Sequence, residues 1–191
     1  MTSTMKSLLF GLAIFLLAAS GVFAAGNKVD PAATEKQVHQ EMRKEISAEK
    51  IIGVEEFKKI VDEVNDGKRK AYIVDLRSAP EFYTFHIEGA DNIHAGHFYT
   101  IPKAIPDAGA ELYIFCRTSH RAFYIAPYLQ KFGYTNMKIV DGGMLAWIKA
   151  GYPVVNQYMG KFTPKYEDFS KDYSPDFRET GKYRVREFHP Y

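Results

Sequence analysis

Apolar residues fall along this chain in two rhythms. Within Val54–Val64, residues Val54, Phe57, Ile60, Val61 and Val64 recur at three- and four-residue intervals, the spacing that gathers side chains on one face of a helix. Asn65-Asp66-Gly67 supplies its stop. The other rhythm is the short unbroken run: Ala71–Asp75, Glu111–Phe115 and Met137–Val140 are rich in β-branched and aromatic residues. They lead into Leu76-Arg77, Cys116 and Asp141-Gly142-Gly143. Runs of this length without alternation predict strands buried on both faces, and Ile51-Ile52 predicts one more. Between the second and third runs, His120–Phe132 predicts a helix closed by Gly133; Met144–Lys149 predicts another, closed by Gly151 and Pro153. Strands alternating with helices predict an α/β fold of three layers, with a central, mainly parallel sheet and helices on both faces. Ligand sites in such sheets form outside the carboxyl ends of the strands, and Cys116 occupies such an end.

The flanks follow other patterns. Lys6, the apolar run Leu8–Ala19 and Val22-Phe23-Ala24 have the order of an export signal, with removal expected after Ala24. An uncleaved anchor is the rival reading: the low-charge stretch to Ala25 is at the short limit for spanning a bilayer and contains Ser20 and Gly21. Cleavage predicts a periplasmic or secreted protein with no stable membrane insertion afterwards. Residues 25–50 are polar and predict a linker with an exposed helix from Thr34, leading into a domain over 51–155. Residues 156–191 form an aromatic-rich arm, in which Tyr158, Phe162, Tyr166, Phe169, Tyr173 and Phe177 recur every three or four residues. Pro164 and Pro175 exclude a single continuous helix there. Two readings of the arm stand side by side: a wrap over its own domain, or a docking surface for a protein partner or second subunit.

The 191 residues, 46% hydrophobic and 15% aromatic, suffice for one domain with a core and exclude wholesale disorder. The formal charge is only +2, and losing Lys6 with the export segment would lower it further. No nucleic-acid partner is therefore expected. Cys116 is the single cysteine. In an oxidising compartment it cannot close an internal disulfide, so it is buried, paired with another molecule, or kept as a reactive thiol.

The segment Cys116-Arg117-Thr118-Ser119-His120-Arg121 lies between a predicted buried strand and a predicted helix. A tight turn there would aim backbone N–H groups at the sulfur and favour its thiolate. Arg117, His120 and Arg121 add positive charge. A nucleophilic thiolate in a cationic cup suits attack on a small anionic sulfur donor, and the cup can then hold the persulfide. Cys116 and Arg121 are thus the candidate catalytic residues, and Arg117, Thr118, Ser119 and His120 the candidate substrate-binding ones. A lone cysteine at a strand end is more commonly a small buried hydrophobe; the cationic loop weighs against that here. A stabilised thiolate needs no general base, so His120 is expected to contact substrate, with a solvent-facing helix start as its alternative. Of His86, His94 and His97, the latter two have no companion ligand at a recognised spacing, so neither a metal nor a cofactor is expected.

Several landmarks then fall in one order. Asp75-Leu76-Arg77 is followed by Glu81-Phe82, His86-Ile87-Glu88-Gly89-Ala90 by Asn92-Ile93, and Cys116–Arg121 by Asp141-Gly142-Gly143, Trp147 and Gly151-Tyr152-Pro153-Val154. Over about Ile51–Val155 the chain resembles the rhodanese family. The resemblance implies a sulfurtransferase: Cys116 takes sulfane sulfur from a donor such as thiosulfate and passes it to cyanide or a thiol. Arg121 would brace the loop and help hold the anion; Asp75, Arg77 and Glu81 would support the surrounding fold. A low-turnover sulfur-carrier or partner-binding module is the second reading. A phosphatase or arsenate reductase is the third, disfavoured because similar enzymes of this fold place five residues between Cys and Arg where this chain has four. Two residues depart from the family pattern. Ser119 stands where such loops often have glycine, costing roughly 1–2 kcal/mol if φ is positive there, and Phe85 stands where a glycine commonly precedes the histidine.

Overall fold

Leu112–Phe115, the most completely buried of the apolar runs, is the middle strand of the sheet in the computed structural model, which describes residues 29–165. The helices, numbered along the chain, are α1 (Pro31–Lys44), α2 (Val54–Asn65), α3 (Ala79–Thr84), α4 (Ile101–Ala104), α5 (His120–Lys131) and α6 (Gly143–Lys149). The strands are β1 (Ile51–Ile52), β2 (Tyr72–Asp75), β3 (Asp91–Asn92), β4 (Leu112–Phe115), β5 (Met137–Val140), β6 (Val154–Asn156) and β7 (Gly160–Phe162). Among the described residues five strands form one sheet in the order β1-β5-β4-β2-β3, every pairing parallel. The expected three-layer α/β architecture is the one observed.

Alternation along β4 divides the interior into two cores, because successive side chains of a strand leave opposite faces. Leu112, Ile114 and Cys116 face a cluster that includes Ala122, Phe123, Ala126 and Leu129 of α5. Tyr113 and Phe115 face a second, with Phe57, Ile60 and Val61 of α2 and Met144 and Trp147 of α6. Burying each large apolar side chain contributes about 1.5–3 kcal/mol, so β4, buried throughout, is the strand most firmly placed. Its register sets Phe115 beside Asp75 and Ile114 beside Ile139. The chain therefore leaves β2, β4 and β5 at one level, bringing Arg77, Cys116 and Asp141 to the same end of the sheet.

Two expectations about boundaries need correction. Residues 25–50 are not merely a linker: α1 packs against α5, and Ile46, 5% exposed, belongs to the α5-side core. At the other end, order continues past Val155. β6 turns back as β7, pairing Val154 with Phe162, and Phe162 packs against the α2- and α6-side core. Tyr158 at the tip of this hairpin is 83% exposed. The expected export segment and the aromatic positions from Tyr166 onward lie outside the described residues.

Candidate active site

The loop from Cys116 to Ser119 is held from behind by the start of α6. Met144 N–H donates to the Cys116 carbonyl at 2.9 Å, and Leu145 N–H to the Arg117 carbonyl at 2.8 Å. Two backbones can approach this closely because position 143 has no side chain. A Cβ on Gly143 would sit 2.3 Å from the Cys116 oxygen, and its φ of +53° also lies in the left-handed region. The Asp141-Gly142-Gly143 landmark thus acts mechanically, delivering helix N–H groups to the carbonyls of the Cys116 loop.

Ser119 ends the loop with φ +68°, the one non-glycine positive φ among the described residues. The expected strain is present, and so is a compensation. The side chain is fully buried, and its hydroxyl donates to the Val140 carbonyl. The Ser119 side chain therefore points into the fold and ties the loop to β5, which leaves only its backbone to line the loop. Left-handed backbone costs serine about 1–2 kcal/mol, and a satisfied buried hydrogen bond offsets about that much. Ser119→Ala, which keeps the strain and strands the Val140 carbonyl, should lose about 1–3 kcal/mol in urea unfolding, whereas Ser119→Gly should stay within about 1 kcal/mol of the parent. An alanine variant as stable as the parent would show that the hydroxyl contributes nothing.

Arg121 lies in the first turn of α5 and interacts with the Cys116 side chain. Its two terminal nitrogens donate to the two carboxylate oxygens of Glu81, each at 3.0 Å. Glu81 also closes a capping box on α3, accepting from the Ser78 N–H and hydroxyl at 2.9 Å each. Burial pushes the Glu81 carboxyl up, but bonds from Arg121 and Ser78 outweigh it and hold the pKa down to about 2. Burial opposes charge on Arg121 as well, and Glu81 and Cys116 more than restore it. The result is a fixed cation beside the sulfur, aimed by a carboxylate that lies far away in sequence.

The remaining predicted residues divide. Arg117 is exposed and Thr118 half-buried, so these two loop side chains are open to an incoming ligand. Of its two expected roles, His120 does not take the solvent-facing one. Its side chain is 14% exposed, its Nε2 lies 2.9 Å from Oε1 of Glu35, and its ring stacks on His39 of α1 at 4.0 Å. It does not face solvent, because α1 covers it. Cys116 itself is 1% exposed. Asp75 and Arg77 form a buried ion pair at the carboxyl end of β2, with Arg77 Nη2 donating to Asp75 Oδ2 and to the Phe85 carbonyl, both at 2.7 Å. Phe85, with φ −170°, is ordinary extended backbone; the missing glycine costs nothing there.

Beyond Ser78 a cleft of about 410 Å³ opens over the carboxyl ends of β2 and β3, lined by Ser78, Asn92, His94, His97 and Thr100 among others. Asn92 Nδ2 donates to the Asp75 and Arg77 carbonyls and so fixes its floor. The His86 ring stacks on Phe82 instead of joining His94 and His97. Glu35, His39 and Arg43 carry no signal in the sequence because α1 has no continuous apolar stripe, and the cleft carries none because its lining comes from separate loops.

This arrangement defines an α/β cysteine site of the sulfurtransferase type, with Cys116 at a central strand end and an arginine braced by a carboxylate in the helix turn that follows. The rhodanese-like domain family model matches residues 54–150, just over half of the chain, and the protein belongs to that family. The uncharacterised protein YqhL of Bacillus subtilis (strain 168) is 33% identical over 86 residues, covering 45% of this chain and 68% of that one. Among solved structures, a thiosulfate sulfurtransferase from Pseudomonas aeruginosa shares the fold at TM-score 0.52 and 20% identity, over 73% of this chain and 25% of that one. A Rhodopseudomonas palustris protein of unknown function, described as a possible tyrosine phosphatase, shares it at TM-score 0.53 and 19% identity, over 68% of this chain and 99% of that one.

Proposed function

We propose that this protein is an exported sulfurtransferase that moves sulfane sulfur from a donor such as thiosulfate to cyanide or a thiol through a persulfide on Cys116. The observation that carries the reading is Arg121, fixed by two hydrogen bonds to Glu81 in the first turn of the helix that follows Cys116 at the end of the central strand. In the first half-reaction the Cys116 thiolate attacks the outer sulfur of thiosulfate. The sulfur–sulfur bond of the donor breaks, and sulfite leaves with the bonding pair. In the second, a nucleophilic acceptor attacks the outer sulfur of the persulfide and the Cys116 thiolate departs, ready for another cycle. Arg121 offsets negative charge at both stages. No electron leaves or enters the cycle, so it requires neither cofactor nor metal.

The test is thiocyanate formation from thiosulfate and cyanide, with a mass spectrum after donor alone. Ping-pong kinetics and a gain of one sulfur atom at Cys116 support the reading. A strictly ternary mechanism with no persulfide would overturn it.

The burial of Cys116 favours one alternative, a sulfur carrier that loads readily but releases only to a docked partner. Persulfide formation with very slow turnover, and a stable complex lost on deleting residues 157–191, would select it. The phosphatase description of the Rhodopseudomonas protein transfers poorly, because four residues between Cys116 and Arg121 make a smaller cup. Hydrolysis of an aryl phosphate that depended on Cys116 would reinstate it. Export rests on Lys6, the apolar run Leu8–Ala19 and Val22-Phe23-Ala24. The exported protein should begin at Ala25 in a mass spectrum, and retention of Met1–Ala24 would reverse that part of the proposal.

A further inference from the structure

Helix α1 lies wholly ahead of the segment that matches the family model, yet it is built against the reactive loop. Its partly buried positions include Glu35, His39, Met42 and Arg43, spaced so that they share one face. Three of the four are polar, and each reaches something that shapes the Cys116 loop. Glu35 Oε1 lies 2.9 Å from His120 Nε2, at the residue where the loop passes into α5, and accepts from the Tyr124 hydroxyl at 2.8 Å. The His39 ring lies almost parallel to that of His120, 4.0 Å away and tilted by 12°. Arg43 donates to both Asp141 carboxylate oxygens at 3.2 Å and sits 4.4 Å over the Phe123 ring. Asp141 opens the turn whose next residues hold the Cys116 and Arg117 carbonyls. Helix α1 therefore grips the loop twice, at its exit into α5 and at its backing turn.

We propose that α1 is part of the active-site apparatus: Glu35 and His39 are positioning residues that hold the Cys116 loop through His120, and acid releases the hold. The physical reason is the stacked imidazole pair. Two neutral rings at this separation pack well, with the His120 Nε2–H donated to Glu35; two imidazolium rings repel. His39 Nε2 is buried with no hydrogen-bond partner among the described residues, so a proton placed there gains no acceptor. Around the pair, Glu35 on α1 favours a proton, while Arg43 on α1 and Arg121 on α5 oppose one. Tyr124 and Asp141 engage Glu35 and Arg43 respectively. Burial is the largest influence on both rings and lowers the pKa of each below the ordinary histidine value. The docked helix thus prefers neutral rings. Docking is at full strength above about pH 6.5, the undocked value, and weakens as pH falls toward the lower docked values.

The turnover readout rests on the sulfurtransferase reading; alkylation of Cys116 by iodoacetamide does not. Both are to be measured on the purified full chain and on Glu35→Ala, His39→Ala and His39→Phe, between about pH 5 and 8. The alanine variants should lose about tenfold in kcat at the upper pH, since a small misplacement of a reacting group costs at least that much. Their Cys116 should be alkylated several-fold faster as the loop loosens. Phenylalanine keeps a flat ring against His120 without a second titrating group. It should restore most of the turnover and move the acid limb of the pH profile to lower pH, a shift that mere space-filling would not produce. Alanine variants equal to the parent in both turnover and alkylation would overturn the positioning role. A phenylalanine variant with an unmoved acid limb would overturn the acid release. If the parent forms no persulfide from thiosulfate, the sulfurtransferase reading fails, and the positioning role stands or falls on the alkylation rates.

Discussion

Replacing Cys116 with serine is expected to cut thiocyanate formation by at least about a thousandfold, the scale seen when a covalent nucleophile is removed. The proposed cycle stores the transferred atom in a sulfur–sulfur bond, which an alcohol cannot form, and a serine hydroxyl is scarcely ionised at neutral pH. Arg121 can still bind an anion in the variant, so donor binding should survive while loading disappears. The fold should survive as well. Cys116 packs in the α5-side core, and burying a hydroxyl there costs at most about 1–3 kcal/mol, short of unfolding a typical domain. Circular dichroism and urea unfolding would confirm a folded variant, and the assay would read the chemistry. Retention of more than about a tenth of the parent's turnover would mean that sulfur travels by another route.

Gly143→Ala should produce the second-largest effect, through a residue that touches no substrate. The new Cβ would lie 2.3 Å from the Cys116 oxygen and 3.1 Å from the Arg117 carbonyl carbon and oxygen. All of these are backbone atoms that no rotamer change can move aside. The start of α6 must withdraw, taking the Met144 and Leu145 N–H groups away from the two loop carbonyls. Losing two hydrogen bonds worth about 1 kcal/mol each, together with a left-handed conformation that alanine resists, predicts a loss of about 2–4 kcal/mol. Turnover should fall about a hundredfold as the loop shifts. Gly67→Ala supplies the comparison. Its φ of +71° is equally left-handed, but nothing lies within 4 Å of its would-be Cβ, so it should lose only about 1 kcal/mol and no activity. Equal behaviour of the two variants would mean that the close approach of α6 to the loop is unimportant.

What could be read without coordinates follows from how burial is written into a sequence. Continuous apolar runs marked β1, β2, β4 and β5, and a three-to-four-residue period marked α2, because water rejects those side chains wherever the chain turns. With the strand ends located, Cys116 fell at the mouth of a parallel sheet before its neighbours were known. Strand β3 left no such mark, because Asp91-Asn92 has no apolar pattern and is a strand only through its pairing with Val74-Asp75.

Polar packing leaves no such record. Glu35, His39 and Arg43 occupy the inner face of a helix with no hydrophobic stripe, so α1 resembles a solvated linker until His120 and Asp141 are brought beside it. Likewise, Ser119 is a surface hydroxyl by composition and a buried donor to Val140 in fact. The contact of Gly143 with the Cys116 carbonyl depends on the register of β4 against β5, which joins residues far apart in the chain. Hydrophobicity, a property of single residues at regular spacing, thus carried the layers and the position of Cys116. The brace on Arg121, the inward turn of Ser119 and the clamp on His120 are pairings between distant polar groups, and these exist only once the apolar cores have folded them together.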